Sequence, residues 1–223
     1  MRRPPLVLRR ETLISLSKGK KVLHLGCTNH PYTQQAIEND MLLHFEIGKV
    51  ASELTGFDND DDGLNILRDH GVERLYKADL EQLESVGLQD RFELIIAGEM
   101  IEHLNNPGLF LNGIKRFMDE GSRLVITTIN AYCALRFVLY ALRGRGGVQE
   151  PVHPDHVAYY SYSTLKLLLE RHGYSVEEMM FYDIGNEHRP HNPRKYNIIN
   201  DIAVRFSSQL SDGLIAVCKL ERT

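Results

Sequence analysis

KVLHLGCTNHPYT, Lys21 to Thr33, is the stretch whose reading decides the fold. An extended, mostly apolar run enters Gly26-Cys27-Thr28-Asn29, and helical chain can begin soon after. In many α/β proteins such a strand–glycine–helix turn brings backbone N–H groups close to a nucleotide-like ligand. The usual series of glycines is absent: Gly26 stands alone, with Thr28 and His30 where further glycines are expected. The segment is either a cofactor turn or an ordinary βα loop, and the strand ends downstream must distinguish the two.

Val22–Leu25, Leu54–Phe57, Leu75–Lys77, Leu94–Ala97 and Leu124–Thr128 read as five buried strands. Between them lie segments with helical spacing: Leu64–His70, with Leu64, Ile66 and Leu67, and Leu109–Phe117, with Leu111, Ile114 and Phe117. Asn106-Pro107 suits a helix start and Glu120-Gly121 a stop. This alternation argues for an α/β fold with a mainly parallel sheet covered on both faces. After Thr128 the spacing predicts a helix over Ala131–Leu142, broken at Arg143–Gly147, then the loop EPVHPDHVAYYS. A helix over Ser163–His172, capped at Ser163 or Thr164, precedes a sixth strand over Ser175–Tyr182. Gly185–Tyr196 reads as a long polar loop and Gly213–Leu220 as the final strand.

A length of 223 residues suits one domain, here 1–223, with 1–19 an N-terminal arm and 131–162 a lid. The net charge of -4 gives no global attraction to nucleic acid or to an anionic membrane, and the arginines at 2, 3, 9 and 10 read as a solvated arm. Cys27, Cys133 and Cys218 lie far apart without CxxC spacing, which indicates neither a zinc knuckle nor a disulfide framework and fits a reducing compartment. No apolar run has the length of a membrane span and no signal-peptide core is present, so the expected location is cytoplasmic.

Ligands of open α/β sheets bind beyond the carboxyl ends of the strands. The second strand ends LTGFD, which places Asp58 to accept hydrogen bonds from a ribose diol. The third ends KADLE, placing Asp79 and Leu80 for an adenine edge and face, and the fourth ends AGEMIEHL, with Gly98 and Glu99 at the mouth. Any one acid at a strand end is most simply a cap; the ordered recurrence is the signal.

In this ordered series the chain resembles a class I S-adenosylmethionine-dependent methyltransferase. HLGC (24–27) is similar to that family's first-strand motif, GFD (56–58) to its ribose-binding acid, KADL (77–80) to its adenine motif and AGEMIEHL (97–104) to its fourth-strand motif. TTINAY (127–132) resembles the fifth strand and following turn, and HPDHVAYYSYSTLKLLLERHGY (153–174) a tail of small methyltransferases, including ubiquinone-pathway O-methyltransferases. The resemblance implies a Rossmann-like, seven-stranded, mainly parallel sheet with the last strand antiparallel. It implies S-adenosyl-L-methionine as cofactor, held by Gly26, Cys27, Thr28, Asp58, Asn59, Asp79, Leu80, Gly98 and Glu99. Two departures stand out: His24 replaces the usual acid, and Thr28 and His30 narrow the methionine space unless Pro31 swings the chain aside. A dinucleotide-binding dehydrogenase fits less well, because G-x-G-x-x-G is missing.

Methyl transfer needs an acceptor held near attack distance and aligned, and a hydroxyl acceptor must also lose a proton, which suits imidazole. His103, His156 and Glu102 are therefore the expected catalytic residues. If Met100–Leu104 begins a helical turn, Glu99, Glu102 and His103 share one side, and His156 closes over them from the loop that also carries His153. The same Glu99, Glu102, His103 and His156 could hold Mg²⁺ or Mn²⁺, as in similar small-RNA terminal 2′-O-methyltransferases, but no metal ligand is assigned. Tyr159, Tyr160 and Tyr162 line an acceptor pocket or pack the loop. His44, His70 and His172 read as helix-surface or helix-end residues. The expected function is methyl transfer to a small-molecule hydroxyl, on a glycan sugar or a quinone-like phenol, by a chain that does not bind nucleic acid and can form a homodimer. The alternatives are a non-catalytic binding module and a metal-assisted RNA 2′-O-methyltransferase.

Overall fold

In a computed structural model, which describes residues 4–143, 155–185, 189–190 and 192–221, the apolar runs become the central strands of one sheet. The strands are β1 (Leu6–Leu8), β2 (Lys21–Leu25), β3 (Glu53–Asp58), β4 (Leu75–Lys77), β5 (Leu94–Gly98), β6 (Arg123–Ile129), β7 (Tyr174–Asp183) and β8 (Gly213–Leu220). They lie in the order β1-β7-β8-β6-β5-β2-β3-β4. β8 runs antiparallel to both of its neighbours, and every other pair is parallel. The count is therefore eight rather than seven. Strand order reverses between β2 and β5, and their carboxyl ends open the crevice in which such sheets bind ligands.

The strands are apolar on both faces because both are covered. Val22, Leu94, Ile96 and Val125 meet Leu13 of α1 (Arg9–Ser17) and Ile47 of α3 (Leu43–Gly48). Leu23, Leu25, Ile95 and Leu124 face the other way, toward Phe110 of α5 (Pro107–Gly113) and Leu165 and Leu169 of α7 (Tyr162–Arg171). α2 (Thr33–Glu38) and α4 (Asp61–Asp69) enclose Cys27 with Leu64, Leu67 and Leu75. Caps follow the sequence chemistry: Asn106 accepts from the Leu109 amide before Pro107, and Asp60 accepts from the Gly63 amide. The α7 cap is Ser161, in a capping box with Thr164, two residues earlier than expected.

Several expectations are corrected. The segment expected as a solvated N-terminal arm instead forms β1, which pairs with β7, and α1. Arg10 donates from Nη1 to the Met41 carbonyl at 2.8 Å and from Nη2 to the Asp40 carbonyl at 3.0 Å. α6 (Ala134–Arg143) takes the helical part of the expected lid, whereas His153 and the glycine-rich break lie outside the described residues. The end of the expected long loop belongs to α8 (Arg194–Phe206). His44 is buried rather than on a helix surface.

His44 meets His24, the residue in place of the family's acid. Their Nδ1 atoms are 3.2 Å apart and their rings are stacked. One nitrogen must donate and the other accept, so the two rings cannot both be protonated there. Burial pushes His24 well below its usual pKa, with the His44 and Arg9 charges adding to it, and burial brings His44 down to about 4. Both folded pKa values lie below the unfolded value, so the unfolded state takes up the extra protons. Stability is then full above about pH 6.5 and falls as the pH drops toward 4. Urea unfolding at about pH 7.5 and about pH 5 is expected to show a loss of roughly 2–4 kcal/mol that a His24→Leu/His44→Leu double variant does not share. A wild-type protein equally stable at both pH values would refute the neutral pair.

Candidate active site

The turn after β2 is tied down by its own hydrogen bonds. Gly26 has φ +68°, in the left-handed region that favours glycine, and open space lies where a Cβ would stand. The Gly26 and Cys27 amides both donate to the Phe57 carbonyl, at 2.9 and 3.2 Å. The Thr28 amide donates to Asp58 Oδ2 at 2.9 Å, and the Asn29 amide to Thr33 Oγ1 at 3.0 Å. All four N–H groups are thus engaged within the chain, leaving no nest for a pyrophosphate. What remains is open space against the backbone at Gly26. Cys27 contributes backbone alone, since its thiol is buried and burial raises its pKa.

Thr28 and His30 turn to partners within the chain. The Thr28 hydroxyl donates to Asp58 Oδ2 at 2.8 Å, and its Cβ and Cγ2 occupy room left by Gly63, where an added Cβ would lie 2.8 and 2.7 Å from them. His30 is exposed and pairs through Nδ1 with Asp60 Oδ2 at 3.3 Å.

Asp58 ends β3, buried, and Asp79 follows the neighbouring β4, exposed, so the two carboxylates lie at adjacent strand ends. Asp58 Oδ1 accepts the Asp60 amide at 3.1 Å, while Oδ2 takes both Thr28 donors. A carboxylate offers about four acceptor positions, so these three donors leave one unused. Asp79 accepts from the Glu81 amide and from Gln82 Nε2, both at 2.9 Å, and Leu80 is half-buried beside it. Asn59 is exposed at the rim. Gly98 ends β5 with Arg9 above it: Arg9 Nη1 is 3.6 Å from where a Gly98 Cβ would stand. This position for Arg9 was hidden in a charge run.

Glu99 has φ +52°, a conformation that costs a non-glycine residue about 1 kcal/mol or more. It is held there by its amide donating to the Thr127 carbonyl at 3.0 Å, and by Oε1 accepting from Tyr182 Oη at 2.8 Å and Thr127 Oγ1 at 3.2 Å. The expected shared helical side of Glu99, Glu102 and His103 is corrected: only Ile101–His103 form a single 3-10 turn, and Glu99 turns to β6 and β7. Sequence reading did not single out Tyr182 and Thr127, which bond Glu99, or Thr128, which bonds Glu102.

Glu102 is fully buried. Oε2 accepts from Thr128 Oγ1 at 2.8 Å, while Oε1 has no hydrogen-bond partner among the described residues. Burial, with the nearby Glu99 charge, pushes its pKa up to about 8. Its carbonyl accepts from the Val157 and Ala158 amides at 2.9 and 3.2 Å, which draws the neighbouring His156 against His103 with ring centroids 4.6 Å apart. Ligating atoms of Glu102, His103 and His156 lie within 4.8 Å of one another. Of the tyrosines, Tyr159 faces His156 with ring centroids 5.9 Å apart, Tyr160 is buried, and Tyr162 packs on Phe181.

Known proteins share this architecture. The chain is 22% identical over 204 residues to a ubiquinone biosynthesis O-methyltransferase of Pseudomonas aeruginosa, covering 86% of this chain and 78% of that one. It is 26% identical over 116 residues to the enzyme of that name from Aeromonas salmonicida, of which the match covers 44%. The chain thus spans less than half the length of the first curated relatives it matches. Among solved structures, a SAM-dependent methyltransferase from Archaeoglobus fulgidus superposes with TM-score 0.56 at 18% identity, covering 94% of each chain. Magnesium protoporphyrin IX methyltransferase from Synechocystis, with bound SAH, superposes with TM-score 0.59 at 10% identity, covering 96% of this chain and 82% of that one. A family model described as a methyltransferase domain matches residues 3–179, and the chain belongs to that family, whose cofactor is S-adenosylmethionine.

Proposed function

We propose that this chain transfers the methyl group of S-adenosylmethionine to a hydroxyl oxygen of a small phenolic acceptor. The observation that carries this is the His103–His156 pair beside the fully buried Glu102, at the same sheet end as Asp58, Asp79 and the open backbone at Gly26. The residues fit the cofactor: a phosphate-free approach, one remaining acceptor position on Asp58, and an acid with an apolar neighbour at Asp79 and Leu80. Bound S-adenosylmethionine supplies an electrophilic methyl group on a sulfonium. Asp58 would hold the ribose, and Asp79 with Leu80 the adenine. One of the two imidazoles takes the hydroxyl proton, since imidazole's ordinary pKa lies nearest working pH. Tyr159 and the α6 lid would help orient the acceptor and exclude water. The name of the Pseudomonas aeruginosa relative supports an oxygen acceptor. Incubation with methyl-labelled S-adenosylmethionine and a panel of catechols, phenols and sugars is expected to label a phenolic hydroxyl. Cofactor binding with no label in any acceptor would instead indicate a binding module.

A second reading rests on the clustering of Glu102, His103 and His156. One carboxylate and two imidazoles suit Mg²⁺ or Mn²⁺, which would polarise the acceptor hydroxyl directly. On this reading, EDTA abolishes transfer and Mn²⁺ restores it; transfer unchanged by EDTA leaves the imidazole base.

A further inference from the structure

We propose that the outer face of α8 docks the protein on an anionic lipid surface. Ile198, Ile202 and Phe206 recur every four residues along the helix and are 57%, 66% and 86% exposed. Their spacing makes one apolar stripe roughly 12 Å long. Arg194, Lys195 and Arg205 project from the same side of the helix by the same periodicity, and all are exposed. Among the described residues no acidic partner is found for Arg194 or Arg205, and the one acid of the helix, Asp201, is paired with Arg189 at 2.8 Å. The packed side chains of the helix fix the orientation. Tyr196 and Ile199 pack on Cys133, Leu135 and Ile184, and Asn200 donates to Asp183 Oδ1 at 2.7 Å. The stripe therefore cannot roll inward.

Position and charge select the occupant. Tyr182 of β7 pairs with Gly213 of β8, so the connection that carries α8 lies at the sheet end that holds the site. Tyr132 and Phe137, after β6 at that same end, are 67% and 74% exposed. A second copy seated symmetrically on α8 would oppose three cations to three cations. A single helix row with cations among its apolar residues suits the headgroup–acyl boundary, where the apolar side enters and the cations meet lipid phosphates. The net charge of -4 is no obstacle, because attraction at a membrane is local, within about a Debye length.

The test is sedimentation of the full chain with vesicles of phosphatidylcholine alone and vesicles with about one part in three phosphatidylglycerol. Recovery is expected to be at least ~10-fold greater with the anionic vesicles and to fall in ~0.5 M salt. Each of Arg194→Gln, Lys195→Gln and Arg205→Gln is expected to weaken partitioning about fivefold, and Ile202→Ser/Phe206→Ser roughly 10-fold, with unchanged thermal unfolding since all five side chains are exposed. Equal recovery on both vesicles, or none on either, overturns the proposal. So does a concentration-dependent dimer abolished by Ile202→Ser/Phe206→Ser, which gives the face to a second copy. Binding to polyglutamate but not to vesicles would give it to an acidic protein.

Discussion

Asp58→Ala is expected to weaken S-adenosylhomocysteine binding at least ~100-fold in titration calorimetry. The carboxylate has two tasks at the end of β3. It anchors the turn through the Thr28 amide, the Thr28 hydroxyl and the Asp60 amide, and on the proposed reading it also holds the ribose. Truncation strands three donors and removes the ligand contact together. Two further variants separate these tasks. Thr28→Val removes one donor to Asp58 while leaving the carboxylate, and is expected to cost about 10-fold or less. Asp58→Asn keeps the shape but loses the charge, and is expected to lie between Thr28→Val and Asp58→Ala. Asp58→Ala that remains folded and binds as tightly as the wild type would remove Asp58 from the cofactor site.

The second large effect is on turnover. His103→Ala and His156→Ala are each expected to lower kcat by about 10²–10⁴ while leaving the Kd for S-adenosylhomocysteine within about threefold of wild type. The split follows from placement: the histidine pair is held on the Ile101–His103 turn and the segment pinned to the Glu102 carbonyl, away from Asp58 and Asp79 at the ends of β3 and β4. A base that acts on the acceptor does not contribute to cofactor affinity. If both variants retain more than about half of wild-type kcat, the proton goes elsewhere. If both instead lose cofactor affinity, the pair is part of the cofactor cradle.

The central strands were legible because burial on both faces leaves near-continuous apolar runs, and Asp58, Asp79 and Gly98 follow once those strand ends are placed. β1 and α1 were not, since Arg9-Arg10-Glu11 reads as solvated chain and is ordered by tertiary contacts, among them those of Arg10 with Asp40 and Met41. α8 was obscured for another reason: its start lies inside the polar, proline-containing stretch read as a loop, and Pro193 offers no side-chain cap. Within the site, the fit of Thr28 depended on Gly63, the neutrality of His24 on His44, and the burial of Glu102 on Thr128 and the segment after residue 154. Each is a pairing across separate elements that no local pattern encodes. The strained backbone of Glu99 was likewise out of reach, since it is set by Tyr182 and Thr127 on other strands.

The most direct measurement is a crystal structure of the full chain grown with saturating S-adenosylhomocysteine. The adenosyl group is expected beyond the ends of β2, β3 and β4, with a ribose hydroxyl on Asp58, the adenine at Asp79 and Leu80, and the sulfur directed toward His103 and His156. Adenosyl density anywhere else on the sheet, or an empty mouth at saturating ligand, would contradict the account.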